Sequence, residues 1–249
     1  MNYRFLAGLG DYVIFTWAAL KSVRSAPRRR QEILLQLKRI GFDSLFLISL
    51  TAAFTGLVTA LQAVYQSKGY IPINLLSVLI GKSTMVELAP VLTALVMTGK
   101  VGASIAAEIG TMKVSEQLDA LRSMNISPAG FLFMPRILAG LITFPMLTVF
   151  ADLVSIICAW YFSWVRYGIH WHTFFNNMKS YFEPFDLWSG LIKSAVFGFL
   201  ITTISCYFGD RSSGGAEGVG KSTTLTVVYS SVTILIMDFI VAWILFGAM

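Results

Sequence analysis

Charged residues are scarce in this sequence, where Asp, Glu, Lys and Arg together make up 13% of the 249 positions. A soluble domain would carry about a quarter of such residues, whereas 56% of the positions here are hydrophobic. We therefore expect an all-α integral membrane protein, with one membrane domain over residues 1–249 and no separate soluble domain. The net charge of +6 comes from clustered basic residues, which indicates membrane topology and not nucleic-acid binding.

Cysteine and histidine are also scarce. The two cysteines, Cys158 and Cys206, lie inside apolar runs, which argues against a disulfide framework and favours small buried side chains. His170 and His172 have the spacing of a metal-binding pair, but the sequence shows no third ligand for them. They fall in a stretch rich in Trp, Tyr and Phe that is typical of a membrane interface. We expect no metal and no cofactor in this chain.

One motif points to a nucleotide-binding protein. Residues 215–223 read GAEGVGKST and fit the phosphate-binding pattern G-x-x-x-x-G-K-[ST] letter for letter. A P-loop needs a buried strand that delivers a glycine-rich turn to a helix. The flanking apolar runs, 191–208 and 224–246, are instead about as long as membrane spans. Between an ATP site and a glycine-rich cytoplasmic turn that joins two membrane helices, the sequence favours the turn.

Five apolar runs are long enough to cross about 30 Å of hydrocarbon as helices. They cover about residues 44–65, 85–107, 137–165, 187–208 and 224–246, so the five-span domain extends over 44–247. Before them, residues 3–20 place apolar side chains on one helical face and predict an amphipathic helix in the membrane interface. With the basic segment that follows it, this N-terminal part extends over 3–30.

Lysine and arginine concentrate on one side of these spans. Most of them lie before the first span, between spans two and three, and between spans four and five. Because basic loops remain in the cytoplasm, this pattern places the N-terminus in the cytoplasm and the C-terminus outside.

The loop between spans two and three has the pattern of a short amphipathic helix over residues 108–124. Apolar residues recur near helical spacing in it, and Ser115 is a candidate helix cap. The segment is either a solvated loop helix or a docking helix for a soluble partner, as in the membrane half of an ABC transporter. For the second interpretation, the predicted coupling residues are Glu108, Lys113, Glu116, Gln117, Asp119 and Arg122.

Three sequence blocks resemble the MlaE/YrbE-type permeases, which are the membrane subunits of MCE-associated lipid ABC transporters. The blocks read ELAPVLTAL at 87–95, GKVGASIAAEIGTMKVSEQLDAL at 99–121 and GGAEGVG at 214–220, and the resemblance covers roughly residues 5–247. Lys100 and Lys221 stand where the family usually has Arg. Lysine cannot hold a carboxylate or phosphate bidentately, so any role that needs such a grip is in doubt.

This resemblance implies a homodimer in the bacterial inner membrane, with an interfacial helix and five spans in each copy. It implies a cytoplasmic ABC ATPase subunit docked on the loop helix and a periplasmic MCE-domain protein, joined in some members by a STAS-domain protein. ATP hydrolysis would belong to the partner, so this chain is expected to be non-catalytic. The implied substrate is phospholipid, or another hydrophobic lipid, moved between the inner and outer membranes.

Ionisable residues inside membrane spans are costly and should face a partner or a wet cavity. We expect Glu87 and Lys193 to line the route of a lipid headgroup, and Lys100 to be a further polar membrane residue. Asp152 and Asp238 are expected to bond to neighbouring helices. By resemblance, spans one and five meet near the dimer axis. The lipid cavity is predicted from residues of both: Phe54, Leu57, Val58, Leu61, Ile236, Phe239, Ile240 and Trp243.

Two rival functions remain open. A secondary transporter or channel that needs no ATPase would carry a cluster of ionisable groups at the midplane and often an internal repeat. A membrane enzyme acting on lipid headgroups would carry a concentrated Asp, His or Ser constellation at one membrane surface. The sequence shows neither pattern, and this favours the permease.

Overall fold

The computed structural model describes residues 2–23, 29–66 and 76–247, and this part of the chain is helical with no strand. In chain order the helices are α1 Asn2–Lys21, α2 Arg30–Ile40, α3 Leu45–Gln66, α4 Leu76–Ser83, α5 Ala89–Met97, α6 Ala103–Val114, α7 Gln117–Ser123, α8 Met134–Tyr167, α9 Trp171–Ser180, α10 Pro184–Asp210 and α11 Gly215–Phe246. Arg24 and Arg28 of the predicted basic segment, and Lys68 after the first span, lie outside the described residues.

Short π-helical turns join several of these helices into longer runs. Thr84–Leu88 and Thr98–Gly102 link α4, α5 and α6, and Ala129–Phe133 precedes α8. Five runs are then long and apolar enough to cross a membrane: Arg30–Gln66, Leu76–Val114, Ala129–Tyr167, Pro184–Asp210 and Gly215–Phe246. The prediction of an all-α membrane protein with five spans is confirmed. Spans two and three are longer than predicted, because the helical runs also include residues 76–84 and 108–114 on span two and residues 129–136 on span three.

The N-terminal part contains one helix more than predicted. Residues 3–20 do form α1, but the chain then forms α2, which packs against α8 and buries Gln36 and Ile40. The α1 helix is fastened to the end of α10, where the Tyr12 and Thr203 hydroxyls lie 2.6 Å apart. Burial raises the pKa of the Tyr12 phenol, although the hydrogen bond to Thr203 opposes this shift. The interfacial helix is therefore attached to the bundle by specific contacts.

Local sequence signals fix the ends of the long helices. Gly168 adopts a left-handed conformation with φ of 68° and ends α8. Glu183 begins α10 through a capping box with Asp186, and Pro184 occupies the first turn. These ends bound the short amphipathic helix α9, which packs its apolar Phe174 into the bundle.

The α10 helix lies at the centre of the bundle and packs against α6, α8 and α11. Close approach is possible because small residues face each other where helices cross: a Cβ added to Gly198 would lie 2.6 Å from the Gly140 carbonyl oxygen of α8. On the second span, a stripe of small residues at intervals of four is buried against α10 and α11: Ala94, Thr98, Gly102 and Ala106. Small residues let helix backbones approach closely, so span two packs in the interior of the protomer.

The P-loop-like segment is helical, so the prediction of a turn over 215–223 is wrong. The turn is shorter and precedes it at Arg211–Gly214, and Gly214 and Gly215 have φ of 86° and 72°. From Gly215 onward the backbone belongs to α11. Helical N–H groups beyond the first turn bond to carbonyls of the same helix, so they cannot form the wrapped phosphate cradle of a P-loop.

Candidate functional site

A cavity of about 670 Å³ opens between α3 and the α4–α5 run, which is within the usual size of small-molecule sites. One wall is formed by α3 and the other by residues of α4, α5 and the π-helical turn between them. The lining residues are Phe54, Thr55, Val58, Thr59, Gln62, Ala63, Gln66, Leu79, Ile80, Ser83, Glu87, Leu88 and Leu92. The cavity is thus built from the first two predicted spans.

Polarity changes along the length of this cavity. Phe54 and Val58 lie near the middle of α3, whereas Gln62 and Gln66 lie near its C-terminal end. Phe54 and Gln66 are separated by roughly 18 Å of helix at 1.5 Å per residue. The Thr55 and Thr59 hydroxyls beside Phe54 and Val58 donate to backbone carbonyls of α3 itself. The cavity is therefore mostly apolar at its inner end, near the middle of α3, and carries two amides at its outer end, near the C-terminus of α3, which is the polarity profile of a lipid.

A buried ion cluster stands behind one wall of the cavity. Lys193 of α10 has no exposed surface, and its ammonium lies 2.5 Å from Glu87 Oε1 and 3.0 Å from Asp238 Oδ1 of α11. Neither contact has hydrogen-bond alignment, so both are ion pairs. Glu87 is 43% exposed and lines the cavity, whereas Lys193 does not. The expected bond of Asp238 to a neighbouring helix is present. The same expectation is not met for Asp152 of α8, whose Oδ1 atom is buried without a hydrogen-bond partner among the described residues.

The predicted cavity residues separate into two groups in this structure. Phe54 and Val58 line the cavity, but Leu57 and Leu61 are absent from its lining. On α11, Ile236, Phe239 and Trp243 are exposed and Ile240 is partly buried. Because α11 packs on α6 and α10 and not on α3, one copy of the chain does not bring the two predicted sets together. A joint cavity across a dimer axis stays a prediction.

Lys100 lies apart from the other two polar membrane residues. Its ammonium donates a hydrogen bond to the backbone carbonyl of Asp43, just before α3. Lys100 follows Glu87 by 13 residues on the second run, roughly 20 Å away along a helix. The structure therefore brings Glu87 and Lys193 together and keeps Lys100 near the opposite end of the span.

Several polar cavity residues were not predicted: Thr55, Thr59, Gln62, Gln66 and Ser83. The signal for most of them is present in the sequence, since Thr51, Thr55 and Thr59 recur at intervals of four and so do Gln62 and Gln66. Residues four apart share one helical face. A polar stripe inside an apolar span predicts a wet or ligand-binding face.

The segment between α6 and α8 forms the second candidate site. The α6 helix ends at Val114, and after a two-residue turn α7 begins at Gln117. Ser115 does not cap α7, since its hydroxyl donates to the Thr111 carbonyl of α6, and Glu116 at the N-cap makes no side-chain cap bond. The prediction of a capping Ser115 is wrong. Leu118 is completely buried and attaches α7 to the core.

Most charges of this segment are already paired within the chain. Asp119 lies 2.7 Å from Arg122 and 3.5 Å from Lys113, and Arg122 also lies 3.6 Å from Asp210 at the end of α10. Glu116 is exposed and adopts a left-handed φ of 61°, which is unusual for a residue other than glycine. Gln117 bonds to the Ser115 hydroxyl. The surface of α7 thus combines a network of paired charges with one exposed carboxylate in a strained turn.

Glu108 differs from the other predicted coupling residues, because it faces this chain. Its Oε1 atom lies 3.2 Å from Arg39 of α2 and 3.0 Å from Arg136 at the start of α8. The Arg136 side chain is 4% exposed and also donates to the Leu132 carbonyl. Glu108 therefore joins three helices at the base of the docking segment. Its role in coupling stays a prediction.

Comparisons with known proteins agree over most of the chain. Residues 33–244 match the family described as Permease MlaE. A probable ABC transporter permease protein of Rickettsia prowazekii is 38% identical over 243 residues, covering 98% of this chain and 94% of the relative. A probable ABC transporter permease protein of Synechocystis is 37% identical over 217 residues, or 87% and 82% of the two chains. The protein TRIGALACTOSYLDIACYLGLYCEROL 1, chloroplastic, of Arabidopsis thaliana is 37% identical over 209 residues, or 84% and 60%.

Proposed function

The chain belongs to the MlaE permease family and is a non-catalytic transmembrane subunit of an ABC transporter, and from this premise we propose that it moves phospholipid. The lipid passes between inner and outer membranes through an MCE-domain partner, and a separate ATPase subunit drives the movement. The cavity between α3 and the α4–α5 run receives the lipid, and the segment around α7 receives the ATPase.

The observation that carries this proposal is the graded polarity of the cavity. Its apolar inner end, around Phe54 and Val58, suits acyl chains, and its outer end with Gln62 and Gln66 suits a headgroup. Apolar pockets with a few placed polar groups are typical of small-molecule sites. A lipid substrate also agrees with the name of the Arabidopsis relative, because trigalactosyldiacylglycerol is a glycolipid.

The assembly follows from the same proposal. Two copies form a homodimer in the bacterial inner membrane, with the N-terminus in the cytoplasm and the C-terminus in the periplasm. The end of the bundle that carries α6 and α7, together with Arg39, Arg136 and Arg211, faces the ATPase. The aromatic end with Trp160, Trp164 and Trp171 faces the MCE-domain protein, and a STAS-domain protein joins the ATPase in some members. Clustering of Lys and Arg at the α6–α7 end supports this orientation.

The test is purification of the full chain in mild detergent, with mass spectrometry of associated proteins and lipids. We expect an ABC ATPase, an MCE-domain protein and phospholipid in the purified material. A chain that purifies without an ATPase and still transports substrate would favour a secondary transporter or channel.

Two substitutions distinguish the two candidate lipid positions. Val58→Trp fills the observed cavity, whereas Ile240→Trp changes only the predicted dimer-axis surface of α11. Loss of copurified lipid with Val58→Trp alone supports the cavity between α3 and the α4–α5 run. Loss with Ile240→Trp alone supports the dimer axis, and retention of lipid in both variants contradicts a lipid site at either place.

A further inference from the structure

The ion cluster behind the cavity carries an unbalanced charge. Two carboxylates, Glu87 and Asp238, share the single ammonium of Lys193, so the formal charge of the cluster is −1. All three residues lie within membrane-spanning runs. Among the described lining residues, Glu87 is the one ionisable side chain that reaches the cavity. The excess negative charge is therefore presented to whatever occupies the cavity.

The membrane interior has a low dielectric constant, so the net charge of the cluster interacts strongly with a charged ligand. Charge interactions weaken with dielectric constant and distance, and they are several times stronger near apolar walls than in water. An uncompensated carboxylate inside a span is costly unless it meets a cation or a hydrogen-bond donor. The apolar walls around Glu87, with Leu88 and Leu92 beside it, leave the ligand as the natural source of that compensation.

We propose that the cavity prefers lipids whose headgroup carries a positively charged amine, such as zwitterionic aminophospholipids, over lipids whose headgroup is net negative. This inference rests on the proposed lipid-transport function and adds a substrate class to it. Glu87 receives the ammonium, and Asp238, 3.0 Å from the same Lys193 ammonium, keeps the net charge of the cluster at −1 although Lys193 also contacts Glu87. A net anionic headgroup placed beside Glu87 would meet like charge, which disfavours binding.

The opposite arrangement would have a headgroup phosphate displace Glu87 from Lys193. Two features disfavour it: Lys193 has no exposed surface, and its second contact, to Asp238, lies on the α11 side, away from the cavity. To reach the Lys193 ammonium, a phosphate would have to displace the Glu87 side chain, lose its own hydration and compete with Asp238 for the same ammonium. That arrangement predicts a preference for anionic lipid, so the two can be distinguished by experiment.

The experiment offers the purified, detergent-solubilised full chain an equimolar mixture of phosphatidylethanolamine and phosphatidylglycerol with identical acyl chains. Bound lipid is quantified by native mass spectrometry for the wild type, Glu87→Gln, Asp238→Asn and the control Glu217→Gln. Glu217 lies on α11 like Asp238, but it is exposed and sits in the first turn, at the opposite end of the helix. Each acidic variant of the cluster brings its formal charge to zero and leaves Lys193 one partner.

We expect the wild type and Glu217→Gln to prefer phosphatidylethanolamine by about fivefold, the size of one partly exposed charge interaction. Both Glu87→Gln and Asp238→Asn should bind the two lipids about equally. Asp238→Asn is decisive, because Asp238 is absent from the cavity lining and so does not contact the headgroup directly.

Equal binding or a phosphatidylglycerol preference in the wild type would overturn the inference, even if neither acidic variant can be purified. A wild-type preference that both variants retain would also overturn it. Absence of any bound lipid in the wild type would instead contradict the proposed function itself, so the two failures are distinguishable.

Discussion

Two charged clusters in this molecule use the same ion-pair chemistry in different surroundings. Lys193 is completely buried between Glu87 and Asp238, whereas Asp119 and Arg122 at α7 are each about half exposed, at 53% and 49%. Removing one partner of a buried pair strands a charge, but exposed pairs contribute little. The buried cluster is thus suited to fix helices and shape the cavity, and the exposed network can exchange its partners with a docking protein.

The largest effect is expected from Lys193→Met. It leaves two carboxylates in the spans without their cation, which should lower the free energy of unfolding by about 3–5 kcal/mol. Thermal unfolding of the detergent-purified chain measures this, with Lys38→Met on the exposed face of α2 as the matched control. Equal unfolding temperatures for Lys193→Met and Lys38→Met would contradict the claim that the buried cluster stabilises the fold more than exposed charges do.

A smaller effect on stability, but a large one on assembly, is expected at α7. Charge reversal by Glu116→Lys together with Asp119→Lys should change the free energy of unfolding by about 1 kcal/mol or less, because both side chains are exposed. The same variant should lose the copurifying ATPase while it still inserts into the membrane. Glu116→Gln with Asp119→Asn serves as the milder control. An ATPase that remains bound to the charge-reversed chain would show that docking occurs elsewhere.

The smallest effect is expected from Lys221→Ala in the P-loop-like segment. Lys221 is exposed on α11, where the backbone is helical and forms no phosphate cradle. The isolated chain should show no saturable ATP affinity in a fluorescent-nucleotide titration, either as wild type or as this variant. Saturable affinity that disappears with Lys221→Ala would mean that the nucleotide site lies in this chain after all.

Hydropathy predicts the spans well, because a long apolar helix satisfies its backbone hydrogen bonds within itself and can therefore cross the lipid. It misplaces the start of α11, where Gly215 to Thr223 read as a turn by composition but continue as helix. Glycine lowers helix propensity only modestly, and packing decides the outcome: Gly110 of α6 lies against Ser212 and Val219.

The ion cluster and the cavity were harder to predict from the sequence than the spans. Glu87, Lys193 and Asp238 were each recognisable as costly residues in spans, yet their pairing depends on how three distant helices rotate against each other. The helix Arg30–Ile40, which Arg39 links to Glu108, was not predicted from the sequence. Such contacts come from tertiary packing, which a local pattern cannot specify.

The central claim is that ATP hydrolysed by a separate subunit moves lipid through the cavity between α3 and the α4–α5 run. The direct measurement is transfer of fluorescent phospholipid from vesicles that contain the full complex to acceptor vesicles, with and without ATP. We predict ATP-dependent transfer that Val58→Trp abolishes and that Phe46→Trp, on the exposed surface at the other end of α3, leaves intact. Transfer that needs no ATP, or that survives Val58→Trp unchanged, would contradict this claim.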